Sequence, residues 1–204
     1  MVNILSVDFD WIMAPSIDLY NGAACDNINV EDSCPATLNV TLRPDYNKYK
    51  QLGIYLKNIT DKIGEKSKIV FADKHRSLIT CINDKWKLDV PLHVYNIDHH
   101  HDCGYEMSIE DCMKTGIDSG NWAIGCDKIK KYTWIGNNNS ETITITDEKI
   151  NKFGEFTMVY DINAINYINF DYVFVCLSPG WIPKELWPLY ELLEFNIKHE
   201  VISL

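Results

Sequence analysis

The sequence predicts an α/β fold in three layers (α/β/α) with a mainly parallel central sheet, and three observations support this. Short apolar, β-branched segments of strand length alternate along the chain with segments of helical periodicity, which is typical of a parallel sheet covered by helices on both faces. The composition, 46% hydrophobic and 12% aromatic, is that of a globular protein with a buried core. The length of 204 residues fits one domain, so we expect a single domain over residues 1–204.

Strands are expected where a short apolar segment ends at a polar residue. They cover residues 2–9, 68–72, 92–97, 131–135, 142–146, 156–160 and 172–177. Helices are expected where apolar residues recur every three or four positions. The first covers residues 46–63 and ends at Gly64, and the second covers residues 73–83 with Asp73 as its N-cap. The third covers residues 147–153, and the fourth covers residues 184–195 and is opened by Pro183. Residues 14–45 show little periodicity and predict a long irregular segment, and residues 103–130 predict loop with short helix.

The charge balance excludes some partners and favours others. Lys and Arg total 19 against 29 acidic residues, which gives a formal charge of -10. A nucleic-acid partner would need a basic face, so we expect none, whereas an acidic chain suits a bound cation. No segment approaches the roughly 20 apolar residues of a membrane helix, and the first residues lack the basic start of a signal peptide. Seven cysteines without a C-x-x-C pair indicate reduced thiols, so we expect a soluble, cytoplasmic protein.

The most specific motif is the five-residue segment from Asp98 to Asp102, which contains three consecutive histidines directly after an apolar strand. Asp98, His100 and Asp102 alternate, so on extended backbone they would point the same way, about 7 Å apart for each two-residue step. Carboxylate and imidazole together suit Mn²⁺, Fe²⁺ or Zn²⁺. The alternative interpretation is a solvated polar turn.

Two further places in the sequence supply candidate metal ligands at predicted strand ends. Asp8 and Asp10 share one face of the first strand, where two like charges raise each other's pKa unless a cation lies between them. His75 falls in the first turn of a predicted helix, where the helix dipole favours a neutral, ligating ring. Taken singly, the aspartates could be a strand edge and the histidine an exposed helix residue. Because the carboxyl ends of strands collect functional groups, we predict one metal site. Its ligands are Asp8, Asp10, His75, Asp98, His100 and Asp102.

These motifs resemble the arginase and deacetylase superfamily of metallohydrolases. Residues 98–105 resemble the arginase pattern D-A-H-x-D, and residues 6–10 with Ala14-Pro15 resemble S-x-D-x-D…A-P. Residues 73–75 resemble the histidine motif G-G-D-H, and residues 118–122 resemble the substrate-holding S-G-N element. Tyr105 and residues 177–183 are similar to the small branch that contains peptide arginases, which convert arginine side chains in peptides to ornithine.

The resemblance implies an arginase/deacetylase-like fold of three α/β/α layers, a metal cofactor and a hydrolytic reaction. It implies two divalent ions, which would be Mn²⁺, with Fe²⁺ or Zn²⁺ as alternatives. Hydroxide at the metals would attack the guanidinium carbon of a small molecule or peptide, and urea would be released. His101 or His99 would then be the general acid that protonates the leaving amine. The expected substrate-binding residues are Ser119, Asn121, Trp122, Ser178 and Trp181.

The sequence departs from the arginase pattern at three points, and two alternatives stay open. The D-x-D strand comes first in the chain instead of after the D-x-H-x-D strand, the histidine expected after S-G-N falls on Ala123, and the late guanidinium-binding carboxylate falls on Gly180. Asp98-His99-His100 also resembles the motif of the DHH phosphoesterases, with Asp8-Phe9-Asp10 and Asp73 as further ligands. The second alternative is a metal-binding protein without catalytic activity.

Overall fold

The computed structural model describes residues 1–14, 43–105, 107–137 and 145–198. Within them a six-stranded parallel sheet forms the centre of the molecule, with helices on both faces, which confirms the predicted fold class. The strands of this sheet are β1 (Val2–Asp8), β4 (Ile69–Ala72), β5 (Leu92–Ile97), β6 (Ile129–Ile135), β7 (Glu155–Val159) and β8 (Tyr172–Cys176). A separate antiparallel pair consists of β2 (Met13–Ala14) and β3 (Arg43–Pro44).

The strand order β4-β8-β1-β5-β6-β7 places β1 in the middle of the sheet. It pairs with β5 from Val2 opposite Leu92 to Val7 opposite Ile97, and with β8 on its other side. Successive side chains of a strand point to opposite faces, so β1 contributes to two hydrophobic cores, Ile4 to one and Leu5 to the other. A strand that is buried on both faces fixes the position of the residues that follow it.

Helices cover the two faces of the sheet in two layers. They are α1 (Tyr46–Ile63), α2 (Ser77–Thr80), α3 (Ile109–Thr115), α4 (Trp122–Gly125), α5 (Asp147–Lys152) and α6 (Trp187–Lys198). On one face α1 and α6 pack against the sheet through residues such as Leu52 and Leu193. On the other face α2, α3 and α4 do so through Leu78, Cys112 and Trp122. Three layers therefore bury the sheet, as parallel strands require.

Helix α1 has the bounds that its sequence predicts. Asp45 caps its N-terminus by accepting hydrogen bonds from the main-chain N–H groups of Asn47 and Lys48, a contact worth about 1 kcal/mol. Gly64 ends it at φ 66°, a left-handed conformation that glycine adopts without strain. The final helical segment also agrees in place: a short 3₁₀ turn, Lys184–Leu186, follows Pro183 and leads into α6.

The predicted helix 73–83 begins later than expected, and Asp73 is not its N-cap. Helix α2 starts at Ser77 and continues as a π-helical turn, Cys81–Lys85. The carbonyl of Asp73 accepts the main-chain N–H of Ser178 at 3.0 Å, so the chain stays paired with the segment after β8 instead of turning into helix. The prediction that His75 lies in the first turn of a helix is therefore wrong, because it lies in a turn before that helix.

Two other predictions fall mostly outside the described residues. Of the predicted strand 142–146, residues 142–144 are not described, and residues 145 and 146 precede α5 without strand structure. Of the predicted irregular segment 14–45, the described ends form β2 and β3. Among the helices that the structure describes, none has the length and apolar character to cross a membrane.

Candidate metal centre

The candidate ligands lie where four neighbouring strands end. Asp8 is the last residue of β1, and Asp98 follows β5 directly. His75 follows β4, and Ser178 follows β8. Since β4, β8, β1 and β5 are adjacent and parallel, their carboxyl ends meet at one edge of the sheet, as the sequence predicts.

Five of the six predicted ligands form two groups of three. One group is Asp8, His75 and Asp98, the other is Asp10, Asp98 and His100, and within each the ligand atoms lie within 4.8 Å of one another. Bonds of about 2.0–2.3 Å to one ion leave pairs of ligand atoms roughly 3–4.5 Å apart, so both groups have suitable dimensions. All five side chains are buried, with exposures of 0–6%. Asp98 belongs to both groups.

His75 gives the clearest sign that a cation belongs here. Its Nε2 lies 2.6 Å from Ser6 Oγ, and when Nε2 donates its proton to that hydroxyl, Nδ1 keeps a free lone pair. Nδ1 lies 3.2 Å from Asp8 Oδ2, 3.3 Å from Asp98 Oδ2 and 2.9 Å from Asp102 Oδ2. It nevertheless makes no hydrogen bond of acceptable geometry among the described residues. Burial favours a neutral ring, but the nearby carboxylates of Asp102, Asp8 and Asp98 raise the pKa of His75 well above its usual value. A metal ion bound at Nδ1 would therefore take the place of a proton.

The carboxylates of the cluster repel one another in the absence of a cation. Burial, and then the charges of Asp8 and Asp98, raise the pKa of Asp10 to about 7. Burial, and then Asp102 and Asp8, raise the pKa of Asp98 to about 8. Uncompensated buried charges are costly, and a divalent ion would remove the cost by pairing with them. These buried Asp and His groups can therefore hold a metal ion.

The raised pKa values predict that metal binding strengthens with pH. At pH 6 a divalent ion must displace protons from Asp10 and Asp98, whereas at pH 8 most of these protons are gone, so we expect at least about tenfold higher affinity at pH 8. Calorimetric titration in buffers of different ionisation enthalpy measures both affinity and proton release. An affinity that is constant between pH 6 and pH 8 would contradict the electrostatic account.

The same shifts make the metal-free protein less stable at higher pH. A carboxyl group whose pKa is higher in the folded state than in the unfolded state binds its proton more tightly when folded. Its full contribution to the free energy of unfolding is present below the unfolded-state pKa of about 4, and this contribution is lost as the pH rises through the folded-state values of about 7 to 8. The melting temperature of the metal-free protein should therefore fall between pH 5 and pH 8, and a divalent ion should restore it.

Asp102 reaches the cluster through a turn of the main chain, so the prediction of an extended segment from Asp98 to Asp102 is wrong. Strand β5 ends at Ile97, and the main-chain N–H of His100 donates back to Asp98 Oδ1 at 2.9 Å. Asp102 has a φ of 53°, and its Oδ2 accepts the indole N–H of Trp122 at 2.5 Å. It contacts His75 but belongs to neither group of three.

A cleft of about 180 Å³ opens beside the cluster. Three candidate ligands, Asp8, His100 and Asp102, line it together with the aromatic rings of Tyr105 and Trp181. The other described residues that line it are Gly104, Met107, Asp118, Ser119, Gly120, Asn121 and Ser178. Solvent-sized molecules can thus reach the candidate ligands from this side.

Residues with strained backbone conformations cluster around the cleft. Of four described non-glycine residues with positive φ, three line the cleft: Asp102 at 53°, Tyr105 at 42° and Ser178 at 51°. Such conformations cost about 1–3 kcal/mol each and are typical of functional sites. The buried amine of Lys149 donates to the carbonyl of Tyr105 and so supports one of these strained residues.

The structure places the predicted substrate-binding residues in two positions. Ser119, Asn121, Ser178 and Trp181 line the cleft. Trp122 is fully buried behind it, with its ring centroid 4.8 Å from that of His75. In this position Trp122 can support the candidate metal ligands from behind the cleft.

Neither predicted general acid is among the residues that line the cleft. His101 is fully buried, its Nδ1 accepts the main-chain N–H of Cys103 at 2.9 Å, and burial together with the charges of Lys149 and His100 lowers its pKa to about 3. His99 Nδ1 lies 3.1 Å from Asn137 Nδ2. A catalytic role for either ring stays a prediction.

Sequence reasoning missed several supporting side chains. Ser6 contacts His75, and Asn96 donates to Asp98 Oδ2 at 2.9 Å. Each lies two residues before an aspartate at a strand end, so strand alternation was the signal that could have found them. Asp118 and Lys149 have no comparable signal in the sequence.

Comparison with known proteins adds no assignment. No protein-family model matches the chain, and neither the curated proteins nor the solved structures contain a significant match. The chain is therefore characterised by its own geometry: a parallel α/β sheet whose carboxyl edge carries buried Asp and His groups that can hold a metal ion.

Proposed function

We propose that this chain is a metal-dependent hydrolase that cleaves a C–N bond of a guanidinium group, with an arginine residue of a peptide as substrate. The observation that carries the proposal is the pair of ligand groups sharing Asp98, which lie beside an acidic, aromatic cleft. Water would add to the guanidinium carbon, the bond from that carbon to the side-chain nitrogen would break, and that nitrogen would take a proton. The products would be urea and an ornithine residue.

The residues that would hold the metal are the two groups of three, with Asp102 beside them. Their mixture of carboxylate and imidazole suits Mn²⁺, with Fe²⁺ or Zn²⁺ as alternatives. Bound divalent ions lower the pKa of a coordinated water toward about 7, so hydroxide is available near neutral pH.

The protein's own side chains would orient the ligands. Ser6 would hold the tautomer of His75, Trp122 would hold Asp102, and Ser178 donates to Asp8 Oδ2. Supporting hydrogen bonds of this kind fix ligand geometry and basicity. The sequence offered His101 or His99 as the source of the proton for the leaving nitrogen, and we propose His99, acting through an intervening water. The pKa of His101, lowered to about 3, leaves that ring neutral near pH 7.

The lining of the cleft favours a cationic substrate. Among its described lining residues there are aspartates and aromatic rings but no lysine or arginine. A phosphoryl group or the carboxylate of free arginine would find no basic side chain there, whereas a guanidinium would find carboxylates and ring faces. This supports an arginine residue within a chain over the free amino acid.

The competing phosphoesterase interpretation has weaker support. It needs Asp73 as a ligand, but this residue is exposed and belongs to neither group of three. The buried segment Asp98-His99-His100 is the feature that still favours it.

An activity assay separates the proposed reaction from its alternatives. With Mn²⁺ supplied, we expect urea from N-acetyl-arginine amide, less urea from free arginine, and no phosphate from pyrophosphate. Phosphate without urea would favour the phosphoesterase. Bound metal with neither product would favour a binding protein and contradict the proposal.

A further inference from the structure

We propose that Asp118 is the carboxylate that binds the cationic end of the substrate and thereby determines specificity. This rests on the proposed function, because it concerns the same cleft.

Asp118 is held in a fixed orientation with one oxygen available. Its Oδ1 accepts the main-chain N–H of Gly120 at 2.8 Å, and its own N–H donates to Asn121 Oδ1 at 2.8 Å. Asn121 is itself buried and donates to the carbonyl of Gly116 at 3.0 Å. Among the described residues, Oδ2 of Asp118 has no hydrogen-bond partner. A carboxylate fixed in this way loses little side-chain entropy when it binds a ligand.

Among the described residues that line the cleft, Asp118 is also the acidic side chain that the metal cluster does not use. The other two carboxylates in the described lining are Asp8 and Asp102. Both lie within 3.2 Å of His75 Nδ1, so bound cations would compensate their charges. Once metal is bound, Asp118 is the remaining negative charge in the part of the lining that the structure describes, and no basic side chain there neutralises it.

The surroundings of Asp118 suit a flat cation. The ring of Tyr105 packs so closely over Gly120 that a Cβ there would lie 2.7 Å from it. Trp181 forms another part of the lining, with its ring centroid 4.8 Å from that of His100. A guanidinium can stack on such rings while its N–H groups bind a carboxylate.

The alternative is that Asp118 serves only to shape the turn from Asp118 to Asn121. Asp118→Asn separates the two roles, because asparagine keeps an oxygen for the N–H of Gly120 and loses only the charge. The matched control is Asp89→Asn, which removes one charge from an exposed residue just before β5, at the opposite end of the parallel strands.

The test compares N-acetyl-arginine amide with its neutral analogue N-acetyl-citrulline amide on the Mn²⁺-loaded full chain. Calorimetry measures binding if no urea is released; if urea is released, the KM of the arginine probe and the inhibition constant of the citrulline probe measure the same preference. We expect wild type and Asp89→Asn to prefer the arginine probe by about tenfold or more, and Asp118→Asn to lose that preference with its metal content unchanged. Equal binding of the arginine probe by Asp118→Asn and wild type, or no binding by wild type, would overturn the assignment.

Urea release measured in parallel distinguishes this proposal from the proposed function. Binding that depends on Asp118 without any urea would contradict the hydrolase and leave the assignment of Asp118 intact. Urea release with the same KM in Asp118→Asn and wild type would contradict the assignment and leave the hydrolase intact.

Discussion

Replacing Asp98 with asparagine is expected to abolish stable metal binding in both ligand groups and to reduce hydrolysis by more than about 10²-fold. Asp98 is the one residue that the two groups share, so its loss removes a ligand from each. Changes to outer hydrogen-bond partners of metal ligands already cost 10–100-fold, and loss of a shared ligand should exceed that. Elemental analysis of protein purified without chelator, together with urea release, measures both effects.

The matched control for this variant is Asp73→Asn, which removes a carboxylate from an exposed residue at the same edge of the sheet. It should keep its metal and its activity. The metal-free Asp98→Asn protein should also be no less stable than metal-free wild type at pH 8, because one of several mutually repelling buried charges is gone. Full metal content in Asp98→Asn would refute the shared role.

Replacing Trp122 with phenylalanine is expected to weaken metal binding by about 10–100-fold while the protein stays folded. The indole N–H of Trp122 donates to Asp102 Oδ2, which lies 2.9 Å from His75 Nδ1. Phenylalanine keeps a ring beside His75 but leaves Asp102 free to turn away. Trp122→Ala should in addition lose about 3–5 kcal/mol of stability, since the side chain is fully buried.

The control for the loss of an indole N–H is Trp86→Phe. Trp86 packs on Tyr172 at the start of β8, away from the ligands, and its N–H has no partner among the described residues. Metal titration and thermal unfolding of both variants provide the measurement. If Trp122→Phe binds metal as tightly as Trp86→Phe, the indole does not orient Asp102.

The parts of the molecule that sequence predicted well depend on local pattern. Helix α1 has its predicted bounds because apolar residues such as Leu52, Leu56 and Ile59 recur at helical spacing and Gly64 ends the run. Strands β1 and β5 were equally clear, because each is a short apolar segment that leads directly to an aspartate, Asp8 or Asp98. Since parallel strands end at one edge, the convergence of Asp8 and Asp98 followed from the fold class.

The parts that sequence could not predict depend on contacts between distant residues. The start of α2 is set by pairing of Asp73 with Ser178. The turn that brings Asp102 to His75 is held by the indole of Trp122 and by main-chain bonds such as that from Gly104 N–H to Gly120 O at 2.8 Å. A lysine predicts an exposed side chain, yet Lys149 is buried because its amine reaches a strained carbonyl.

The central position of β1 has a consequence for how the protein assembles. Its neighbours β5 and β8 come from much later in the chain, and Ser178 contacts Asp8 across 170 residues. Such non-local pairing makes folding slow, and no fragment that lacks β8 can build the complete cluster. A divalent ion would then bind tightly only to fully folded molecules, and by mass action this binding would shift the folding equilibrium toward the folded state. Removing the metal with a chelator should therefore destabilise several segments that are distant in sequence at the same time. The metal-free protein should be cleaved by proteases that the metal-loaded protein resists.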